Sequence, residues 1–487
     1  MKTTNFPLTA FGEIQIAELT PIVQLQSSYN INTRVLETRD NNGTSSFANS
    51  MFQVSTGASA NQSSMLLSRR AVKYNAGQGG LVRFTALFTT GVANSSQYIG
   101  AGSSAEGFFF GYDGATFGVL RRSGGLPEVR TLTVTTKSTT AENITITLDG
   151  DADATVTVTD ASATDVTTTA NEIASHDYSD LGQGWTAHAM GANVIFESYN
   201  AASQTGTYSV AGTSVVGSFA QSVVGVAPTD THVAQADWNA DKMDGTGPSK
   251  MTLDHTKGNV YHIQYQWLGF GQIQHFIEDD IDGDLHLVHT VLYANNNTVP
   301  SLNNPTLRLC LSVVNTSNTS DIVLKSSSMV GGIQGKDAEG GLFNATTLET
   351  TSIGTTETPV LSIHNHTIYQ SVVNKVEARL DYLGVSFVAS SAKKPALVRV
   401  TLNPTLTAAS FAAINANTSV MRKDTSATAM SGGTVIFAQS MTESAALNLD
   451  FAGRNIKIEP GDTLTISLEA SNGTIDPDVS LGWKELF

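Results

Sequence analysis

The chain has 487 residues, 40% of them hydrophobic, which is enough apolar material for about two to four domains. Only 14% of residues are charged, and 27 Lys plus Arg against 43 Asp plus Glu give a formal net charge of -16. That balance argues against a nucleic-acid partner, whose phosphates need clustered cations, and one cysteine excludes an internal disulfide framework or a multi-cysteine metal site.

Low charge with abundant Thr, Ser, Asn and Gly is the composition of short strands joined by many turns. Residues 1–50 read as an extended N-terminal arm with strand candidates at Glu13–Leu19 and Ile22–Leu25. The opening MKTTNFPLTAFGE lacks the apolar run of a signal peptide, and no window approaches eighteen apolar residues. The expectation is therefore synthesis in a cytoplasm without membrane insertion. From Met51 to Arg130 strands follow quickly: Ser64–Lys73, Gly80–Phe88, Ser96–Gly100, Gly107–Tyr112, Thr116–Arg122 and Glu128–Thr133. Asp113-Gly114 is the expected hairpin tip, since this dipeptide accepts positive φ at low cost.

A composition shift near Thr131 opens a segment of β-β-α-β-β-β character. Its helix candidate, Thr164–Ser175, carries Val166, Ala170, Ile173 and Ala174 near helical spacing. The segment ends near Pro228, its ends are expected to lie close together, and it reads as an insertion at 131–228. Residues Asn259–Leu309 then alternate, with Tyr261, Ile263, Tyr265 and Trp267 on one face and His262, Gln264 and Gln266 on the other. Ile273 and Ile277 continue the apolar face opposite Gln274 and Glu278. This meander should pair with the strands around Phe84 and Phe110. The strand-like run Leu307–Val313 places Cys310 as a buried structural thiol. After a Gly-rich stretch, Pro359–Phe487 alternates at Lys375–Val388, Ala396–Leu402, Thr434–Ser440, Ile456–Ile458 and Thr463–Ala470.

The fold expected is mainly β: two antiparallel β-sandwich domains, jelly-roll or concanavalin-like, the first interrupted by a small α+β insertion module. The boundaries expected are an arm at 1–50, a split sandwich at 51–130 and 229–335, the insertion at 131–228, and a C-terminal sandwich at 336–487.

Two blocks are specific in order and spacing: GQGGLVRFTALFTTGVANSSQYIGAGSSAEGFFFGYDGATFGVLRR and DWNADKMDGTGPSKMTLDHTKGNVYHIQYQWLGFGQIQHFIE. At these blocks the chain resembles a family of virion structural proteins of tailed phages, marine ones prominently, and of large algal DNA viruses. The resemblance covers most of residues 10–335 and, more loosely, PGDTLTISLEASN near the C-terminus. It implies a tail, fibre or capsid-associated virion component, without a catalytic motif to carry over.

The search for chemistry returns no catalytic constellation, no cofactor motif and no metal set. Asp280, Asp282 and Asp284 around Gly283 suggest a calcium loop, as do Asp149, Asp151 and Asp153, but the closing Glu is missing and solvated turns explain both. His286 and His289, three apart, should face opposite sides of a strand, whereas His262 and His275 could approach across strands. Glu106, Glu278 and Asp279 are the carboxylates a glycosidase would need, with nothing to bring a pair together. GQGG at Gly77–Gly80 and GGIQGK at Gly331–Lys336 lack a phosphate-loop context and read as turns. Trp238, Tyr261, Tyr265, Trp267 and Phe270 could offer rings to a sugar, although core or subunit-interface packing explains them better. The leading expectation is a non-enzymatic virion subunit forming a homo-oligomer with other virion proteins. The alternatives are a module binding a host-surface glycan and a depolymerase of host polysaccharide.

Overall fold

The computed structural model describes residues 18–159, 165–337, 340–347, 352–387, 394–441 and 446–487. The protein is mainly β, built of antiparallel sheets with the helix Val166–Ser175 between strands. The chain falls into two compact units. The first comprises residues up to 38, 43–123 and 229–338; the second comprises 39–42, 124–228 and 339–487. Among the described residues no helix is long and apolar enough to cross a membrane.

In the first unit two sheets enclose one core. The first sheet runs from Leu285–Val291 through Ile273–Glu278 and Asn259–Gln266 to Gly79–Phe88. Beyond Gly79–Phe88 the sheet divides. One branch adds Ser328–Gln334 and Leu19–Gln26, and the other adds Val323–Ser326, Met51–Ser55 and Thr44–Ala48. The second sheet orders Thr229–Ala234, Thr116–Ser123, Gly107–Asp113, Ser95–Gly102, Leu307–Asn315, Gln62–Val72 and Leu36–Asn41.

The period-two pattern explains which residues meet between the sheets. Tyr261, Ile263 and Tyr265 point inward and are buried, as are Phe84 and Phe88 on the neighbouring strand. Phe108, Phe110 and Phe117 answer them from the second sheet. Phe84 sits directly across from Tyr261 in the ladder, and the Phe110 ring centroid lies 4.9 Å from that of Tyr261. The meander pairs with the strand of Phe84 as expected, whereas the strand of Phe110 lies in the other sheet and meets it by packing across the core. Asp113-Gly114 turns the hairpin between Gly107–Asp113 and Thr116–Ser123, with Gly114 at φ +58°. Cys310 is buried beside Phe109 and Leu120.

The described part of the N-terminal arm pairs within the first unit. Leu19–Gln26 pairs along Ser328–Gln334 because Val23 and Leu25 carry apolar side chains into the core. Residues 13–17 of the other arm strand lie outside the described residues. The two glycine clusters read as turns are also strand: Gly79 and Gly80 open one strand, and Gly331 and Gly332 lie within another. Glycine occurs there because bulky groups cross close by, such as the Tyr265 ring over Gly80.

The chain leaves the first unit after Ser123 and returns at Thr229, and these two residues are cross-strand partners. Just inside them, Leu126 and Val226 exchange both backbone hydrogen bonds at 2.9 and 2.8 Å. The ends of this segment therefore lie side by side.

In the second unit, a four-stranded sheet (Trp185–Met190, Asn193–Ser198, Val129–Thr136, Val216–Val223) and a three-stranded sheet pack with the helix around Trp185, Tyr178 and Phe196. Asp165 caps the helix, accepting from the Thr167 and Thr168 amides. The C-terminal part is a five-stranded and a six-stranded sheet over a core holding Trp483 and Phe451. The two parts of this unit meet at the helix, where Asn171 Nδ2 donates to the Leu406 carbonyl at 3.2 Å.

Phe110 contacts Tyr261, Trp238 and His275 and is fully buried, so Phe110→Ala is expected to cost about 3–5 kcal/mol of stability. The exposed Phe270→Ala should stay within about 0.5 kcal/mol. Urea unfolding followed by tryptophan fluorescence measures both, and equal effects would refute this core.

Candidate functional site

The alternation that sends Tyr261, Ile263 and Tyr265 inward sends His262, Gln264 and Gln266 outward. The same rule applied across the ladder puts Leu81 and Arg83 on this outward face, along with Gln274, Phe276 and Gln334. Here the first sheet carries a pocket of about 550 Å³. Its polar lining is Arg83, His262, Gln264 and Gln334, and its apolar lining is Leu19, Leu81, Phe276 and Leu285. The volume is in the range of small-molecule sites.

Gln264 and Gln334 in this lining belong to a row of carboxamides that Gln274 continues outside it. Gln264 Nε2 donates to Gln274 Oε1 at 2.5 Å, and Gln334 Nε2 donates to Gln264 Oε1 at 3.4 Å. Gln334 reaches Gln264 across the intervening strand because Gly79 lies between them, where a Cβ would overlap the Gln334 carboxamide. Beside this row Gln266, Gln272 and Tyr265 close a smaller cavity of about 40 Å³, room for a water molecule. His262 is 6% exposed, its ring edge meets Phe276 at 5.4 Å, and its Nδ1 is buried without a hydrogen-bond partner.

The aromatic candidates separate into two groups. Trp238 and Tyr265, with Tyr261, are core residues, 3%, 2% and 0% exposed, so none can serve as a platform for a sugar. Trp267 is half-buried, donates Nε1 to the Leu302 carbonyl at 3.2 Å and meets Tyr74 edge-on at 5.3 Å. Phe270 remains at the surface beside Tyr293. Neither lines the pocket.

His262 and His275 do not approach each other. Ile263 pairs with His275 and His262 with Phe276, which places the two histidines on opposite faces of the sheet. His286 and His289 do not face apart either. A register slip near Val288 sets His286 across from Ile277 and His289 across from His275, so both take the inward side.

The acidic turns are held by their own backbone. Asp282 accepts from the Asp284 amide and Asp279 from the Ile281 amide, while Asp279, Asp282 and His286 have ligand atoms within 4.8 Å of one another. The grouping of ligand atoms thus differs from the alternate aspartates Asp280, Asp282 and Asp284 that the sequence suggested and that were read as a solvated turn. Asp149, Asp151 and Asp153 diverge to Gly206, Gly182 and His176. Glu106 accepts from the Asn303 and Asn304 amides at 2.7 and 3.0 Å, a loop clamp separate from the turn held by Asp279.

The pocket residues were accessible to sequence reasoning only as polar positions between core positions. Glutamine at 264, 266, 272 and 274, where solvated strands commonly carry Thr or Lys, was the available signal. Arg83 and Gln334 had none, since strand order alone brings them there.

No family model matches the chain, and no curated protein matches it. Among solved structures it is similar to lectin II from Ulex europaeus, at 10% identity over 65% of this chain and 100% of that chain, with a TM-score of 0.24. Lectin UEA-II complexed with galactose aligns at 9% identity with the same coverage and score. T=1 particles derived from infectious bursal virus align at 9% identity over 86% of this chain and 80% of that chain, with a TM-score of 0.12. Scores at this level carry no argument for fold or function.

The histidines around the site are neutral near pH 7. Burial holds His275 down at about 3, with repulsion from His289 adding to it, and holds His262 at about 4, with Arg83 adding. Both lie below the ordinary 6.5 of the unfolded chain. Below pH 6.5 the unfolded chain takes up protons that the native state refuses, so stability falls as pH drops toward these values. Each such group contributes a slope of up to about 1.4 kcal/mol per pH unit. His275→Phe should flatten the acid limb of stability between pH 6 and 4, measured by urea midpoints across that range. An unchanged slope would show that His275 is not buried neutral.

Proposed function

We propose that this chain is a non-enzymatic structural subunit of a virion that assembles as a symmetric homo-oligomer. One observation carries the reading: the two blocks that resemble virion structural proteins supply both layers of one core. Residues 77–122 contribute Gly79–Phe88 to the first sheet and Ser95–Gly102, Gly107–Asp113 and Thr116–Ser123 to the second. Residues 237–278 contribute Asn259–Gln266 and Ile273–Glu278, plus Trp238 to the core between the sheets. The resemblance thus falls on a scaffold. Closed symmetric assembly is the commonest arrangement for copies of one soluble chain.

A second reading, a saccharide-binding surface, is favoured by the pocket on the outward face of the first sheet. Carboxamides offer a donor and an acceptor each, the pairing that ring hydroxyls require, and Phe276 with three leucines offers apolar walls to the C–H faces of a ring. In a virion such a surface would meet host glycan.

The structural reading predicts that the purified chain elutes as a defined oligomer in light-scattering chromatography and that the peptide mass spectrum of the virion contains it. A monomer at micromolar concentration, absent from the particle, would end that reading. The saccharide reading is tested separately, by the binding arms below.

A further inference from the structure

We propose that the pocket lined by Gln264 and Gln334 takes an acidic saccharide, with Arg83 receiving a sugar carboxylate and these two carboxamides receiving ring hydroxyls. The proposal rests on the saccharide reading of this pocket and adds the charge of the ligand.

Three observations carry it. The first is the state of Arg83. Several arginines of this acidic chain pair with carboxylates, among them Arg122 with Asp230 at 2.7 Å, Arg308 with Glu37 at 2.6 Å and Arg399 with Glu469 at 2.9 Å, whereas others, such as Arg121, donate to neutral oxygens. Arg83 is exposed and has no carboxylate partner among the described residues, and no carboxylate lines the pocket. Glu278 lies on the same face, two residues beyond Phe276, but outside the lining.

The second observation is His262. It is more than nine-tenths buried against the pocket, and its Nδ1 has no hydrogen-bond partner. A buried polar atom of this kind is costly unless a ligand or water satisfies it. The cation of Arg83 helps to keep this ring neutral, so among the described residues Arg83 is the single formal charge in the lining. A guanidinium binds a carboxylate through two parallel N–H donors, a geometry that a hydroxyl cannot reproduce.

The third is the preparation of the carboxamides. Gln334 spans a strand to reach Gln264 only because position 79 is glycine. The carboxamides are therefore held by one another in a row before any ligand arrives, which lowers the ordering cost of binding.

The test uses the full chain in isothermal titration with three probes at constant ionic strength: tri-galacturonate, its fully methyl-esterified form, and inorganic phosphate. Tri-galacturonate should bind about tenfold more tightly than the ester, the discrimination expected of one partly exposed charge pair. Arg83→Gln should abolish that preference, whereas Arg83→Lys should keep part of it and so exclude a folding defect. Gln264→Ala should weaken acid and ester alike. Equal binding of acid and ester by the native chain, or a preference that survives Arg83→Gln, overturns the carboxylate assignment while leaving the saccharide reading in place. Phosphate binding as tight as the acid also overturns it, by showing an unspecific anion site. If neither saccharide binds, the saccharide reading itself fails.

Discussion

The layer of aromatic rings between the two sheets of the first unit is the contact on which the rest of that unit depends. Phe84 stacks on Tyr261, Phe110 packs against both, and Phe88 meets Phe117 edge-on at 5.2 Å. Offset and edge-to-face geometries let such rings fill a gap that aliphatic side chains would leave loose. These residues come from strands on either side of the 124–228 segment, so their burial is also what draws the two halves of the unit together. Residues 123 and 229 then become neighbours, and the intervening chain can leave and return at one point without disturbing the core.

Once one face of a strand is committed to this core, the other face has no freedom, because the side-chain period is two. The consecutive glycines at 79 and 80 show both consequences in one place. Gly80 makes room for the Tyr265 ring on the inward side, and Gly79 makes room for the Gln334 carboxamide on the outward side. The core and the pocket lining are thus two faces of the same strands. A site placed on such a sheet inherits the rigidity of the packing behind it, unlike one built on a loop.

The acidic character of the chain has a local explanation as well. Aspartates at 153, 244, 254, 279, 282 and 424 each accept from the backbone amide two residues on. A protein made of many short strands needs many tight turns, and an aspartate that satisfies its own turn is an economical way to make one. Part of the net charge of -16 is therefore a by-product of turn chemistry. The same fact explains why alternate aspartates that suggest a calcium loop serve here as turn acceptors.

Strands such as Gly107–Asp113, Asn259–Gln266 and Thr463–Ala470, the inward set Tyr261, Ile263 and Tyr265, the Asp113-Gly114 hairpin and the helix ending at Ser175 were legible in the sequence, whereas the strand residues Gly79, Gly80, Gly331 and Gly332 read as turns. Each legible feature depends on chemistry within a few residues: side-chain period, positive φ, or a cap. For Trp238 the sequence favours core or subunit-interface packing without deciding between them, because it lies in a polar connector without periodicity; the fold of that connector over Phe110 and Phe117 makes it core. The same-side placement of His286 and His289 required a bulge that no local pattern announces. The pocket was the least legible feature, since Gln334 meets Gln264 from 70 residues away. The sequence by itself determined which face of each strand is apolar and where the chain turns, because both are local properties of side chain and backbone. Which strands became neighbours, and hence that Arg83, His262 and Gln334 share one pocket, was decided only by the tertiary structure, through the burial of aromatic residues far apart in the chain.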